Sequence, residues 1–185
     1  MVGVTSYVAL LRGIGPTNPN MRNERLRATL EHLGHENVAT VISSGNVIFT
    51  SSRKDVKAME AEMEEAWRDQ LGFQSATIIR SRSQMERLVA ADPYAGLEHS
   101  PSTYLLVTFC KRSPRLPWKL PHQPEGRPYQ VLASVDGVLC SLLDTTTAQT
   151  PDLMTWLDQT FGKEISSRTW LTVHRILNRM RTIPT

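Results

Sequence analysis

Thr5–Leu11 is the segment that most limits what this chain can fold into. Its run Tyr7-Val8-Ala9-Leu10-Leu11 is apolar and lacks the polar alternation of a half-solvated strand. At this length it suits a β-strand buried on both faces. The run stops at Arg12-Gly13-Ile14-Gly15, so a cation and two glycines follow the strand directly. A second polar turn, Ser43-Ser44-Gly45-Asn46, separates two further apolar runs, and a third cluster, Ser166-Ser167-Arg168-Thr169, is read as opening the last helix.

The order of elements around that strand follows from local signals. Asn18-Pro19-Asn20 supplies stop and cap chemistry. Residues 21–33 then read as a helix, with Leu26, Leu30 and Leu33 on one face and Gly34 at its C-terminal end. Residues 38–42 and 47–50 are β-rich and predict a hairpin across the Ser43–Asn46 turn. Ser52 is placed to cap the next helix, with Asp55 three residues on. That helix carries Val56, Met59, Met63, Trp67 and Leu71 at helical spacing and ends before Gly72. A strand over 77–80 completes β-α-β-β-α-β, the ferredoxin-like order.

The second half reads as less regular. A helix over 84–91 and a strand at Thr103–Cys110 precede five prolines within residues 114–128. That stretch matches an SH3-type ligand in composition but is read as an extended surface connection. Residues 131–135 and 138–142 form a hairpin across Asp136-Gly137. A helix starts at Thr150-Pro151 and ends at Gly162, and residues 168–180 form the last helix. No internal repeat is visible. The expected fold class is therefore α+β, with two packed subdomains: a ferredoxin-like one over residues 1–81, and a second over residues 82–185 that ends in two helices.

Composition narrows the function only a little. The 185 residues are 40% hydrophobic and 21% charged, enough for a packed core and ordinary for a globular chain. A net charge of +3 is too small to imply nucleic acid by itself. Cys110 and Cys140 sit in apolar runs without metal-ligand spacing, and are expected to be buried reduced thiols of a cytoplasmic protein. No run approaches the roughly 18 apolar residues of a membrane span, and the first apolar run lacks the basic flank of a signal peptide.

Topology makes the first half the candidate site. The first two strands of a βαβ unit run parallel, so the loop after Leu11 and the Ser43–Asn46 turn belong to the same end of the sheet. Arg12 is then expected near Asn46. The loop feeds a helix N-terminus, whose free N–H groups and dipole favour an anion, and Gly13 and Gly15 permit close backbone approach. Two readings stand: an anion site, or an Arg12 paired with a carboxylate above glycines that only shape the turn. The loop is neither a Walker loop nor a dinucleotide fingerprint.

The last helix separates a core stripe, Trp170, Val173, Leu177 and Met180, from a polar face with Arg168, Thr172, Arg175 and Arg179. Arg168, among hydroxyls, is the site candidate on that helix. Arg175, Arg179 and Arg181 read as a solvated face. Glu60, Glu62, Glu64 and Glu65 read as a solvated helix surface. His32 and His35 are three apart across Gly34 and are not read as a metal pair. No nucleophile–base pair is evident, so neither a reaction nor a cofactor is assigned.

Leu10-Leu11-Arg12-Gly13-Ile14, then Thr40-Val41-Ile42-Ser43-Ser44-Gly45-Asn46-Val47, then Arg168-Thr169-Trp170-Leu171-Thr172-Val173 resemble a bacterial family, domain of unknown function 1697 (DUF1697). That family typically reads Leu-Leu-Arg-Gly-Ile-Asn-Val-Gly-Gly, Thr-Tyr-Ile-Gln-Ser-Gly-Asn-Val and Thr-x-Arg-Asn-Trp-Asn-Thr-Val at these places. Asp92-Pro93-Tyr94 is similar to its Asn-Pro-Phe. The resemblance implies two packed α+β subdomains and brings no established activity. Arg12, Gly13, Ser44, Gly45, Asn46, Arg168, Trp170 and Thr172 match the pattern. Gly15, Pro16-Thr17, Val41, Ser43, Thr169 and Leu171 depart from it, and several amide side chains of the family are missing.

The leading expectation is a site for a small phosphorylated or carboxylated ligand, formed by Arg12, Gly13, Gly15, Ser44, Gly45 and Asn46 with Arg168, Thr169, Trp170 and Thr172. The alternatives are a protein-partner or structural role, and weak nucleic-acid binding through the arginine-rich last helix. Against the last, residues 44–49 lack the Lys/Arg-Gly-aromatic signature of an RNA-binding sheet.

Overall fold

The computed structural model describes residues 3–147 and 150–185. Its contacts divide into two compact units. One runs up to Met85 and includes Arg175–Thr185; the other is Glu86–His174. Among the described residues there are two four-stranded antiparallel sheets and five α-helices, so the α+β class is observed.

In the first unit, β1 (Thr5–Leu11) is central, as its apolar run demands. The sheet order is β2 (Glu36–Thr40), β3 (Asn46–Ser51), β1, β4 (Thr77–Ser81), the ferredoxin-like order. Tyr7, Ala9 and Leu11 pack with Val47, Phe49 and Ile79 under the helices α1 (Asn23–His32) and α2 (Val56–Leu71). The alternate residues Val8, Leu10, Ile48 and Ile78 are also fully buried, so both faces of this sheet are closed.

Several element ends differ from the sequence reading. A 3-10 turn, Pro19–Met21, comes first, and α1 starts only at Asn23. Asp55, not Ser52, caps α2, its side chain accepting from the Ala58 N–H at 3.0 Å. Gly72 closes α2 in the left-handed region, as its sequence position foretold.

Of the four acidic residues of α2, Glu65 is exposed as expected, but Glu60 and Glu64 are not part of a solvated surface. Glu60 is buried, and its Oε1 accepts from the Ile79 N–H at 2.9 Å. One turn on, Glu64 accepts from the Thr77 N–H at 2.8 Å. The Ser81 N–H donates to Gln84 at 2.8 Å. These are the edge donors of β4, the outer strand of the sheet. Two helix carboxylates spaced by four residues, plus one amide, therefore cover an edge that would otherwise be open to another chain.

The second unit repeats the strand order of the first. Its sheet runs β6 (Tyr129–Val135), β7 (Val138–Asp144), β5 (Thr103–Cys110), β8 (Ile165–Thr169). The registers match residue for residue. Val8 faces Ile48 on one side and Arg80 on the other; Val107 faces Cys140 and Arg168. Each sheet's last strand runs straight into a helix, α3 (Arg82–Ala90) or α5 (Trp170–Arg181). No sequence repeat accompanies this because one crossover lacks its helix. Where α1 links β1 to β2, the proline-rich stretch links β5 to β6. Pyrrolidine rings exclude an α-helix there. Leu116 and Leu120 of that stretch pack instead against the second core, beside α4 (Thr150–Phe161). The Asp136-Gly137 hairpin forms as expected, with φ of 48° and 76°.

Strand β8 is a correction. Ser166-Ser167-Arg168-Thr169 does not open the last helix; it forms the strand, and α5 begins at Trp170. Four polar residues in a row hide the strand from hydrophobic patterning, although Ile165, Ser166 and Arg168 are buried.

Candidate functional site

The rim of the first sheet brings together the first two polar clusters. Leu10 pairs with Asn46, and the Leu11 N–H donates to the Gly45 carbonyl at 2.9 Å. Arg12 follows at once. Its N–H donates to the Ala76 carbonyl at 2.9 Å, and its own carbonyl accepts from Ser75 Oγ at 2.7 Å. The Arg12 backbone is thus clamped between β4 and the β2–β3 turn, at the sheet end the topology required.

Beyond Arg12 the chain turns through Gly13 at φ +68°, where a side chain would meet open space. The Gly15 N–H donates to Met21 Sδ at 3.3 Å. Asn18 caps the 3-10 turn by accepting from the Asn20 N–H at 3.0 Å. The chain then enters α1, whose N-cap residue, Arg22, makes no side-chain capping bond. The first amides of α1 are therefore left to other acceptors. A cavity of about 280 Å³ opens here, lined by Pro16, Met21, Arg22, Asn23, Glu24 and Ser43. Arg22 is exposed, and its side chain has no hydrogen bond or ion pair among the described residues.

The turn residues do a different job from the lining. Asn46 is fully buried; its Nδ2 donates to the Val41 carbonyl at 2.9 Å and to Ser44 Oγ at 3.0 Å, pinning the turn from inside. Gly45, at φ +74°, is where a close approach is required. A Cβ there would lie 2.5 Å from Ile14 Cγ1 and 3.0 Å from Leu11 Cβ. The neighbour admitted by this glycine is the Ile14 side chain. Gly15 needs no special freedom, since the nearest atom to an added Cβ is Thr17 Oγ1 at 4.0 Å.

Arg168, Thr169, Trp170 and Thr172 lie in the second unit. Arg168 is 9% exposed, and its Nη1 donates to the Ser167 carbonyl at 2.7 Å and to Ser166 Oγ at 3.0 Å. Burial pulls its guanidinium down to about 10, still charged at neutral pH. Arg80 holds the matching register position in the first sheet and likewise donates from Nη1 to the preceding carbonyl, of Ile79, at 2.9 Å. Thr169 Oγ1 accepts from the Thr172 N–H at 3.1 Å and shares a 2.9 Å bond with Thr172 Oγ1, capping α5. Trp170 lies edge-on to Tyr94 at 5.2 Å and to His174 at 4.6 Å. This group anchors the β8–α5 junction.

Of the cavity's own residues, Ser43 belongs to the polar turn that the sequence pointed to, whereas Arg22 and Asn23 carry no motif. The one usable signal was an N-cap position occupied by arginine, which cannot accept the free N–H groups behind it. Among the described residues no group of three or more His, Cys, Asp or Glu could hold a metal ion, and Cys110 and Cys140 are buried and form no disulfide. Burial pushes the Cys140 thiol up to about 12. No described helix is long and apolar enough to cross a membrane.

A model of the family described as "Protein of unknown function (DUF1697)" matches residues 4–122. Among solved structures, the chain is similar to that of the conserved bacterial protein SP0830 from Streptococcus pneumoniae. The TM-score is 0.75 at 18% identity, over 97% of this chain and all of that one, a likeness of fold. No curated protein matches the sequence.

Proposed function

The chain belongs to the DUF1697 family of proteins of unknown function, and we propose that it binds a small phosphorylated or carboxylated ligand at the rim between the Arg12 loop and the Ser44–Asn46 turn. The observation that carries this reading is the cavity of about 280 Å³ at the uncapped start of α1, with Arg22 unpaired at its mouth. Glu24 shares the lining and opposes an anion; Arg22 offsets it. The amides of the first helical turn then decide the sign, contributing about 0.3–1 kcal/mol toward an anion before any direct hydrogen bond forms.

Roles follow from position. Arg22 supplies the mobile charge, Asn23 and Ser43 offer polar contacts, and Arg12 and Gly13 set the course of the loop. Ser44, Gly45 and Asn46 hold the turn against it. Arg168, Thr169, Trp170 and Thr172 order the second unit. Two buried thiols suit a reducing compartment such as the cytoplasm. The test is calorimetry with inorganic phosphate, phosphometabolites and small carboxylates. Arg22→Ala should weaken binding about tenfold or more while the melting temperature stays put. Unchanged affinity in Arg22→Ala would remove this site.

A further inference from the structure

The exact match of register between the two sheets gives the second unit its own counterpart of the Arg12 rim. The Lys111 N–H donates to the Glu164 carbonyl at 2.9 Å, as the Arg12 N–H does to Ala76. At this end of the second sheet a cavity of about 330 Å³ opens, lined in part by Arg112, Ser113, Arg115, Phe161 and Glu164. It exists because the β5–β6 crossover is an extended proline-rich stretch, leaving room between that stretch and the end of α4. Its volume falls in the range of small-molecule sites, about 300–1,000 Å³.

We infer that this cavity is a second ligand site, for a phosphorylated compound carrying a flat ring, of the nucleoside monophosphate class. Charge comes first. From Lys111 to Lys119 the chain holds Lys111, Arg112, Arg115 and Lys119 and no acidic residue. Arg115 has no hydrogen bond or ion pair among the described residues. Arg112 meets Glu164 at 3.6 Å, but the two side chains are 85% and 54% exposed. A solvent-exposed pair of that length is worth little and gives way to a dianion that offers a better partner. Two guanidinium groups on one cavity match the forked geometry of a phosphate.

The ring follows from Phe161. Its ring is held edge-on by Trp118, at 5.9 Å and 61°, and by Trp156, at 6.2 Å and 89°. Its orientation is therefore fixed by the aromatic cluster, and it forms part of the cavity wall. A fixed aromatic wall beside two arginines accepts a base against the ring and its phosphate on the guanidiniums. This site is independent of the first-unit rim, since Arg22 and Arg115 can be changed separately.

The experiment is a calorimetric titration of the intact protein at low salt with adenosine, guanosine, cytidine and uridine monophosphates, with inorganic phosphate and with adenosine. At least one monophosphate should bind saturably and more tightly than phosphate, and adenosine should bind weakest. With Arg22→Ala present in every sample so that the first-unit rim does not contribute, Arg115→Ala, at an exposed position, should weaken that monophosphate between about 10- and 100-fold. Phe161→Leu, checked for native circular dichroism, should bring the monophosphate down to the affinity of phosphate. The inference is overturned if no monophosphate binds saturably, if phosphate binds as tightly, or if adding Arg115→Ala leaves the affinity as it was.

Discussion

Replacing Gly45 by alanine tests the rim at its tightest point. Two costs add. Alanine in the left-handed region costs about 1–2 kcal/mol relative to glycine. The new methyl also lands 2.5 Å from Ile14 Cγ1 and 3.0 Å from Leu11 Cβ, in a turn already pinned by Asn46. Leu11 belongs to a strand and cannot retreat, so Ile14 must move, an overpacking cost of about 1–3 kcal/mol. The stiffer unfolded chain returns about 0.4–1 kcal/mol, leaving a net loss of roughly 1–4.5 kcal/mol. Gly13→Ala is the control. It has nearly the same φ, +68°, but nothing within 4 Å of the added Cβ, so only the conformational cost applies. It should lose about 1 kcal/mol or less. Urea unfolding of both variants, with Ile14→Ala alone and combined with Gly45→Ala, completes a double-mutant cycle. Ile14→Ala should recover about 1–3 kcal/mol of the Gly45→Ala loss. If Gly45→Ala and Gly13→Ala agree within about 0.5 kcal/mol, the packing argument is refuted.

Two further outcomes follow from buried polar groups. His35 is 4% exposed, its ring nitrogens lack hydrogen-bond partners and it sits 4.5 Å from Phe49; burial, then the nearby Arg53 charge, lowers its pKa against a smaller raising by Glu62. The unfolded chain thus takes up this proton first, so stability should fall as pH drops below about 6.5, by at most about 1.4 kcal/mol per pH unit, and His35→Leu should flatten that slope in urea melts between neutral and mildly acidic pH; equal slopes would contradict a buried neutral imidazole. Glu60→Ala should cost about 1–3 kcal/mol by stranding the Ile79 N–H, whereas Glu60→Gln, which keeps an acceptor, should cost less; equal losses would show that the carboxylate's charge matters more than its cover of the strand edge.

The first unit was legible because its signals are local and agree. An apolar run buried on both faces, capping residues and glycines in the left-handed region all point to one order of elements. The Arg12–Asn46 meeting needed only topology, since β1 and β3 are antiparallel neighbours. What stayed hidden was decided by tertiary pairing. Strand β8 is polar in sequence, yet it pairs with the buried β5, and Arg168 is drawn inside with its Nη1 donating to Ser166 Oγ and the Ser167 carbonyl. Glu60 and Glu64 look like solvent-facing charges until β4 arrives with free N–H groups. The repeat of the ferredoxin-like order was invisible because prolines replaced a helix while the strand registers stayed the same. Arg22 was passed over because the helix was read as starting before it, which placed it inside the first turn rather than at the cap.

The most direct measurement is a phosphate titration of isotopically labelled protein followed by amide NMR. Binding at the rim predicts saturable shifts led by the Asn23 and Glu24 amides, with neighbours in residues 13–15 and at Ser43, all lost in Arg22→Ala. Shifts absent from the start of α1, or persisting unchanged in that variant, would contradict the account.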